Sequence, residues 1–144
     1  MLNKSTVIDL DILTIEDDGS HLICKAKING KNARILIDTG ASRSVFDQER
    51  ILLFVNDKSF VQNEKLSTGL GTNSMPTSSV TLKSFKVGDL KMDNFLAILL
   101  DLQHVNVTYG TLGHEAIDGV LGNDILVKHK AVIDYNKKIL KLRL

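Results

Sequence analysis

This chain of 144 residues has very little cysteine and proline, no tryptophan and almost no net charge. It has one cysteine, Cys24, one proline, Pro76, and no tryptophan. A lone cysteine excludes an internal disulfide framework and favours a reducing compartment, so we expect a cytoplasmic location. The 18 basic and 17 acidic residues leave a net charge of +1. No overall field should therefore draw the protein to nucleic acid or to an anionic membrane.

Long hydrophobic runs are also missing. The longest apolar run, residues 95–100, is too short to span a bilayer, and residues 1–5 lack the basic and apolar segments of a leader. We therefore expect no membrane partner. The length of the chain and its 43% apolar content fit one globular domain, residues 1–144, large enough to bury a core without disulfide or metal support.

The first third of the chain contains short strand-like segments separated by tight-turn dipeptides. Asp18-Gly19 and Asn29-Gly30 suit hairpin turns because these residue types tolerate positive φ. Residues 22–28 alternate apolar side chains with lysine, which is the period of a strand with one wet face. Residues 33–37 are almost continuously apolar, so we expect that strand to be covered on both faces. The pattern predicts a β-meander over residues 7–46.

The rest of the chain is divided by glycine, asparagine and aspartate into further short segments. We first expect a short helix over 47–54, with Asp47 as its N-cap, and then a polar excursion over 63–79. A hairpin of 80–87 and 90–100 around Gly88-Asp89 follows, and after it a surface loop over 103–115. The last expected elements are a strand and a helix start within 116–126 and a hairpin of 131–135 and 139–144. Strands dominate this list, which predicts an all-β fold.

One segment points to chemistry more clearly than the others. The apolar strand Ile35-Leu36-Ile37 leads directly into Asp38, Thr39 and Gly40. A carboxylate reached through such a strand is poorly solvated, so Asp38 is the first candidate for a catalytic group. Alone, the tripeptide is also compatible with an aspartate that merely caps a turn. A second motif, Val120-Leu121-Gly122, is an apolar strand that runs into a predicted helix.

These two motifs, in this order, resemble the signatures of the aspartic proteases. The active-site loop of that family has two apolar residues, Asp-Thr-Gly and a small residue, and its second signature has two apolar residues and a glycine before a helix. Because the chain contains Asp-Thr-Gly once, it is similar to the retropepsins, in which two identical protomers each supply one aspartate. The resemblance implies a closed β-barrel with one short helix in the C-terminal half. It also implies a homodimer with its active site at the interface, and no metal or other cofactor.

The resemblance assigns roles to the residues of the first motif. Asp38 is the catalytic residue of an endopeptidase and would activate water together with its copy in the partner protomer. Thr39 and Gly40 support the active site: the Thr39 hydroxyl would bond the partner loop. Gly40, which lacks a Cβ, would let the two loops and the substrate approach closely.

Substrate contacts are implied for the same loop and for a flap. An extended peptide would pair with the backbone after Gly40, and a flap over residues 64–80 would close on it and exclude water. The substrate-binding residues implied in this way are Ala41, Ser42, Gly69, Leu70 and Gly71.

Two features depart from the retroviral pattern. Many retroviral enzymes pair an acidic residue, two positions after the signature glycine, with an arginine after the second glycine. This chain has Ser42 and Asn123 at those positions. The joint loss leaves no orphan charge and favours a bacterial or pepsin-like branch. The long N-terminal stretch and the basic C-terminal hairpin further predict a dimer surface unlike the retroviral one.

Other interpretations stay open beside the enzyme. A non-catalytic module could keep the same fold and only hold a peptide. Nucleic-acid binding by the C-terminal cations is a third possibility, but aromatic residues for base stacking are scarce there, so a solvated face is favoured and no nucleic-acid partner is expected. The four histidines lack metal-site spacing. Asp118, next to Gly119, is expected to be structural.

Overall fold

The computed structural model describes residues 4–15, 19–56, 60–62 and 78–144, with backbone alone at 60–62. These ranges contain ten strands, two α-helices and a 3-10 turn, Arg50–Leu53. The strands are β1 (Ser5–Thr14), β2 (Ser20–Ile28), β3 (Lys31–Ile37), β4 (Val45–Asp47), β5 (Phe60–Gln62), β6 (Ser78–Val87), β7 (Leu90–Leu100), β8 (Gly119–Leu121), β9 (Val132–Asp134) and β10 (Ile139–Arg143). The helices are α1 (Gln103–Thr111) and α2 (Asn123–Leu126).

Six of the strands close into a barrel. The ring runs from β2 through β3, β8, β4, β7 and β6 and back to β2, where Ile28 pairs with Phe85. The β3–β8 and β4–β7 pairs are parallel, and the others in the ring are antiparallel. The β2–β3 turn has φ of 51° at Asn29 and 81° at Gly30, as expected for that dipeptide. The predicted all-β, closed-barrel fold is confirmed.

A three-stranded extension carries both ends of the chain. The first half of β1 pairs with β10, from Ser5↔Arg143 to Asp9↔Ile139, and its second half pairs with β2. β9 pairs with the other edge of β10, which confirms the predicted C-terminal hairpin. Ile8 and Leu140 are buried toward the barrel. The N- and C-terminal strands therefore pair with each other inside one chain.

Apolar side chains cover both faces of the strand that leads to Asp38. Ile35 and Ile37 are buried inside the barrel, in a core that also holds an aromatic group of Phe46, Phe85 and Phe95. On the outer face Leu36 packs against a second cluster of buried residues, which consists of Ile15, Ile23, Leu102, Tyr109, Ile117 and Val120. The prediction of a doubly covered strand is confirmed at this end of β3.

The prediction of a surface loop over 103–115 is wrong, because helix α1 occupies most of that range. Helix α1 has no apolar stripe: Tyr109 is its only buried residue, and Val107 is 60% exposed. Tertiary contacts hold it instead, since the Asn106 side chain accepts a hydrogen bond from the Ile117 N–H (2.8 Å) and donates one to the Ile117 carbonyl (3.1 Å). The described C-terminal half therefore contains two helices, α1 and α2, where one was expected.

The helix expected over 47–54 is shorter than predicted. The prediction of Asp47 as its N-cap is wrong: Asp47 is the last residue of β4, and Glu49 holds the N-cap position of the 3-10 turn. Asp47 Oδ2 still accepts the Arg50 N–H at 2.9 Å from the end of that strand. Asp18 and residues 63–77, which include most of the predicted flap and polar excursion, lie outside the described residues. In the ranges that the structure describes, no helix has the length and apolar character needed to cross a membrane.

Candidate active site

The backbone of the Asp38 loop holds one carboxylate oxygen in place. The Asp38 N–H donates to the Leu121 carbonyl at 3.0 Å, so β3 remains tied to β8 up to its last residue. The chain then turns back, and the Gly40 N–H donates to Asp38 Oδ1 at 2.8 Å. Asp38 Oδ2 has no hydrogen-bond partner among the described residues. Asp38 is half-buried, while Thr39 and Gly40 are exposed. The carboxylate therefore lies at the rim of the barrel, at the end of β3, next to residues that are open to solvent.

Gly40 permits this turn by its size. A Cβ at Gly40 would lie 3.2 Å from Asp38 Oδ1, which is tighter than ordinary van der Waals contact. Ala41 is half-buried and packs against the second apolar cluster, whereas Ser42 is exposed. The loop thus has an anchored side at Ala41 and an open side at Ser42.

The second motif lies directly beside the first. β8 runs parallel to β3 with Ile37 opposite Leu121, which brings Gly122 against the loop. A Cβ at Gly122 would lie 2.7 Å from the backbone C and O of Arg43, so only glycine fits there without a shift. Asn123 donates twice to the loop, from its N–H to the Ala41 carbonyl (2.8 Å) and from Nδ2 to the Thr39 carbonyl (2.7 Å). The two motifs therefore form one hydrogen-bonded unit.

Ser44 and Asp124, 80 residues apart in the chain, complete this unit through a pairing that the sequence does not predict. The buried Ser44 hydroxyl donates to Asp124 Oδ1 at 2.8 Å and accepts the Gly122 N–H at 2.9 Å. The available signals were a hydroxyl shortly after the Asp-Thr-Gly motif and a carboxylate in the first turn of α2. Local pattern alone gave no reason to join them.

Asp118 has the structural role expected of it. Its carboxylate is buried, and Oδ1 accepts the Arg50 Nε–H at 2.7 Å while Oδ2 accepts the Arg34 backbone N–H at 2.8 Å. Both oxygens are therefore engaged in holding the barrel wall behind the loop. Asp118 is not brought to the rim where Asp38 lies.

The flap residues and a possible metal site are the last sequence-based expectations to compare with the structure. Gly69, Leu70 and Gly71 of the flap lie outside the described residues. No group of three or more histidine, cysteine, aspartate or glutamate side chains that could hold a metal ion occurs in the described part of the chain.

Comparisons with known proteins show the family and the fold of this chain. A family model described as aspartyl protease matches residues 24–125. A retropepsin-like aspartic protease from Rickettsia conorii superposes with a TM-score of 0.56 at 20% identity, covering 99% of this chain and 94% of that one. The retroviral protease-like domain of Ddi1 from Leishmania major gives 0.56 at 15% identity, with 85% and 87% coverage.

A third solved structure extends the likeness to a viral enzyme. EIAV protease, complexed with the inhibitor HBY-793, superposes with a TM-score of 0.53 at 19% identity, covering 85% of this chain and 99% of that one. No curated protein sequence matches the chain. The barrel is thus that of the retropepsin-like proteases, and the family match runs continuously from β2 through the Asp38 loop to Gly122 and α2. On this evidence the chain belongs to the aspartyl protease family.

Proposed function

We propose that this chain is an aspartic endopeptidase that works as a homodimer, with one Asp38 from each protomer in a shared active site. The observation that supports it best is the hydrogen bonding of the two Asp38 carboxylate oxygens. Oδ1 is fixed by the Gly40 N–H, and Oδ2 has no partner among the described residues at a half-buried rim. A carboxylate with one oxygen fixed and the other oxygen free can take part in a reaction at an active site that a second protomer completes.

The reaction requires two carboxylates with different protonation states. The ionised Asp38 of one protomer takes a proton from a water molecule, which then attacks the scissile carbonyl carbon. The protonated Asp38 of the other protomer donates a hydrogen bond to the carbonyl oxygen as negative charge develops there. Since the chain supplies the Asp-Thr-Gly motif once, the second carboxylate has to come from a second chain.

Supporting roles follow from the exposed part of the loop. The Thr39 side chain is exposed, so its hydroxyl is available to bond the partner loop and keep the two carboxylates level. Ala41 and Ser42 are proposed to contact an extended peptide that pairs as an added strand. Because the Ala41 N–H and carbonyl already bond Asp38 and Asn123, this pairing would use the exposed Ser42. Gly69, Leu70 and Gly71 are proposed to cover that peptide as a flap.

The dimer is proposed to form between protomers whose own ends are already paired. β1 and β10 are joined over five residue pairs in the same chain, from Ser5↔Arg143 to Asp9↔Ile139. An exchange of terminal strands between protomers would break those pairs. The dimer surface is therefore expected to differ from one in which terminal strands interleave, as the sequence departures predicted.

A mixing experiment tests the shared site. Asp38→Asn should abolish cleavage of a peptide library. Added to a fixed amount of wild type, an equal amount of this variant should lower the rate to about half, because random pairing leaves about half of the wild-type chains with a wild-type partner. A rate unaffected by the variant would mean that each chain acts alone. No cleavage by wild type, with peptide binding retained, would favour the non-catalytic module.

A further inference from the structure

A row of cations crosses the outer wall of the barrel, away from the Asp38 rim. Lys27 of β2 lies directly opposite Lys86 of β6, and Lys86 lies directly opposite Lys91 of β7. Lys25, two residues before Lys27 in β2, lies opposite Arg34 of β3. All four lysines are exposed and Arg34 is half-buried. We call these five residues the cationic ladder.

Two neighbouring clefts are lined by four of the five ladder residues, all except Lys91. The larger, of about 470 Å³, is lined by Lys25, Asn32, Ala33, Arg34, Arg50, Glu115, Ala116 and Asp118. The smaller, of about 180 Å³, is lined by Lys25, Ala26, Lys27, Asn32, Lys86 and Gly88. Because both include Lys25 and Asn32, they form one groove across β3, β2 and β6.

Acidic groups in the groove do not balance its cations. Both Asp118 oxygens are already used, by the Arg50 Nε–H and by the Arg34 backbone N–H. Lys91 has Asp93 as a neighbour at 3.7 Å, but both side chains are well exposed and the pair is weak. Glu115 is the one other acid that lines either cleft. Asp9 and Asp11 line an adjoining cleft that shares Lys25 and Gly88 with the smaller one, and the cations still outnumber the acids when both are counted. The groove is therefore positive in a chain whose net charge is only +1.

Two features of the groove are unfavourable in the free protein. Like charges placed directly opposite each other on adjacent strands destabilise a sheet, and the ladder contains three such pairs. The Arg34 Nε is buried and has no hydrogen-bond partner among the described residues. A buried donor without an acceptor costs free energy. An anion bound in the groove would relieve the repulsion between these like charges.

We propose that this groove binds an acidic segment of another polypeptide in extended conformation, with aspartate or glutamate side chains on the ladder. Neighbouring strands are about 4.8 Å apart, so the cations form a linear array on the scale of a few residues of extended chain. No aromatic side chain lines either cleft, so the groove offers no surface on which the bases of a nucleic acid could stack. An acidic peptide therefore fits better than a nucleic acid.

The groove is separate from the proposed catalytic rim. Arg34 lies in β3, four residues before Asp38, which directly follows that strand; the separation is about 13 Å at the usual rise per residue. Its side chain lies on the outer face, opposite to the buried Ile35 and Ile37. Binding in the groove can thus be measured without cleavage, and its outcome is independent of the proposed protease activity.

The test uses the full chain with Asp38→Asn throughout and a fluorescein-labelled peptide of alternating Glu and Gly. The double variant Lys25→Glu with Lys27→Glu should weaken binding, read by fluorescence anisotropy, by at least about tenfold. The matched control, Lys128→Glu with Lys137→Glu, changes the net charge equally at two exposed lysines outside the groove and should bind within about twofold of the parent. Circular dichroism melting curves verify that each variant is folded.

Arg34→Met provides a second variant that keeps the strand and removes the guanidinium, and it should also weaken binding several-fold. Added salt should weaken binding to the parent protein. The proposal is overturned if the parent does not bind the peptide, or if both double variants lose affinity equally. Tighter binding of a single-stranded RNA with the same number of charges would also overturn it, in favour of nucleic acid.

Discussion

Ser44 and Asp124, 80 residues apart in the chain, are joined by two hydrogen bonds to one oxygen. The Ser44 N–H and its hydroxyl donate to Asp124 Oδ1 at 2.9 and 2.8 Å. The same hydroxyl accepts the buried Gly122 N–H, and Asp124 Oδ1 also accepts the Ile125 N–H at 3.0 Å. One serine and one carboxylate thereby tie the end of the Asp38 loop to the start of α2. This connection fixes the C-terminal end of the loop that begins at Asp38.

Ser44→Ala should lower the free energy of unfolding by about 1–3 kcal/mol, because it leaves the buried Gly122 N–H without its acceptor. Urea denaturation measures the effect. Ser42→Ala is the matched control, since Ser42 is exposed in the same loop, and it should change stability by less than about 0.5 kcal/mol. Equal losses in the two variants would contradict this role for Ser44.

Two glycine-to-alanine changes should act in opposite directions. At Gly122 a Cβ would meet the Arg43 backbone at 2.7 Å and the Ala41 carbonyl at 2.9 Å, so stability should fall by about 1–3 kcal/mol or more. Gly110 lies in α1 with nothing within 4 Å of its Cβ position, so alanine there should add up to about 1 kcal/mol. Thermal unfolding followed by circular dichroism compares the two variants. A loss at both positions would contradict the argument for Gly110.

Features that depend on neighbouring residues could be predicted from the sequence. The Asn29-Gly30 turn and the β6–β7 hairpin around Gly88 are encoded by dipeptides that accept positive φ. Asp38 and Gly122 could also be identified from their neighbours, because each directly follows an apolar strand. Their pairing, however, was taken from a family resemblance and not from local pattern.

Features that depend on distant contacts could not be predicted. Helix α1 has no apolar stripe and is held by Asn106 on the Ile117 backbone and by the burial of Tyr109. The Ser44–Asp124 connection joins residues that no periodicity relates. The cationic ladder becomes visible only when the barrel closes and places Lys86 beside Lys27.

Cys24 should resist alkylation while the chain is folded. It is 1% exposed, and burial raises the pKa of its thiol from 9.0 to about 12. At pH 9 the reactive thiolate is therefore abundant in the unfolded chain and about a thousandfold rarer in the folded one. Mass spectrometry after iodoacetamide treatment should show labelling in guanidinium and almost none in buffer. Rapid labelling of the folded chain would contradict the burial of Cys24.

The same shift predicts a pH dependence of stability. The folded-state pKa of Cys24 lies above the unfolded value, so its favourable contribution is full below pH 9 and is lost as the pH rises toward 12. Compared with Cys24→Ala, the wild-type chain should lose stability more steeply between these limits. Urea denaturation of both proteins at several pH values measures the difference, and parallel curves would count against it.

The Arg50–Asp118 pair, in which the carboxylate is buried and the Arg50 side chain is 37% exposed, should show stronger coupling than the Lys91–Asp93 pair, in which both side chains are exposed. Arg50 Nε lies 2.7 Å from Asp118 Oδ1, and the Asp118 side chain is 5% exposed. Arg50→Ala leaves that carboxylate with only the Arg34 N–H, so it should be clearly destabilising. With Asp118→Asn added, the double variant should lose less than the sum of the single losses, by about 1 kcal/mol or more.

The Lys91–Asp93 pair provides the reference for this double-mutant cycle. Its atoms are 3.7 Å apart and both side chains are mostly exposed, so its coupling free energy should be below about 0.5 kcal/mol. Urea denaturation in low and high salt measures both cycles. Salt should reduce the already small Lys91–Asp93 coupling and leave most of the Arg50–Asp118 coupling, because the buried carboxylate is poorly reached by counterions. Equal coupling in the two cycles would mean that burial of Asp118 contributes nothing to the strength of its ion pair.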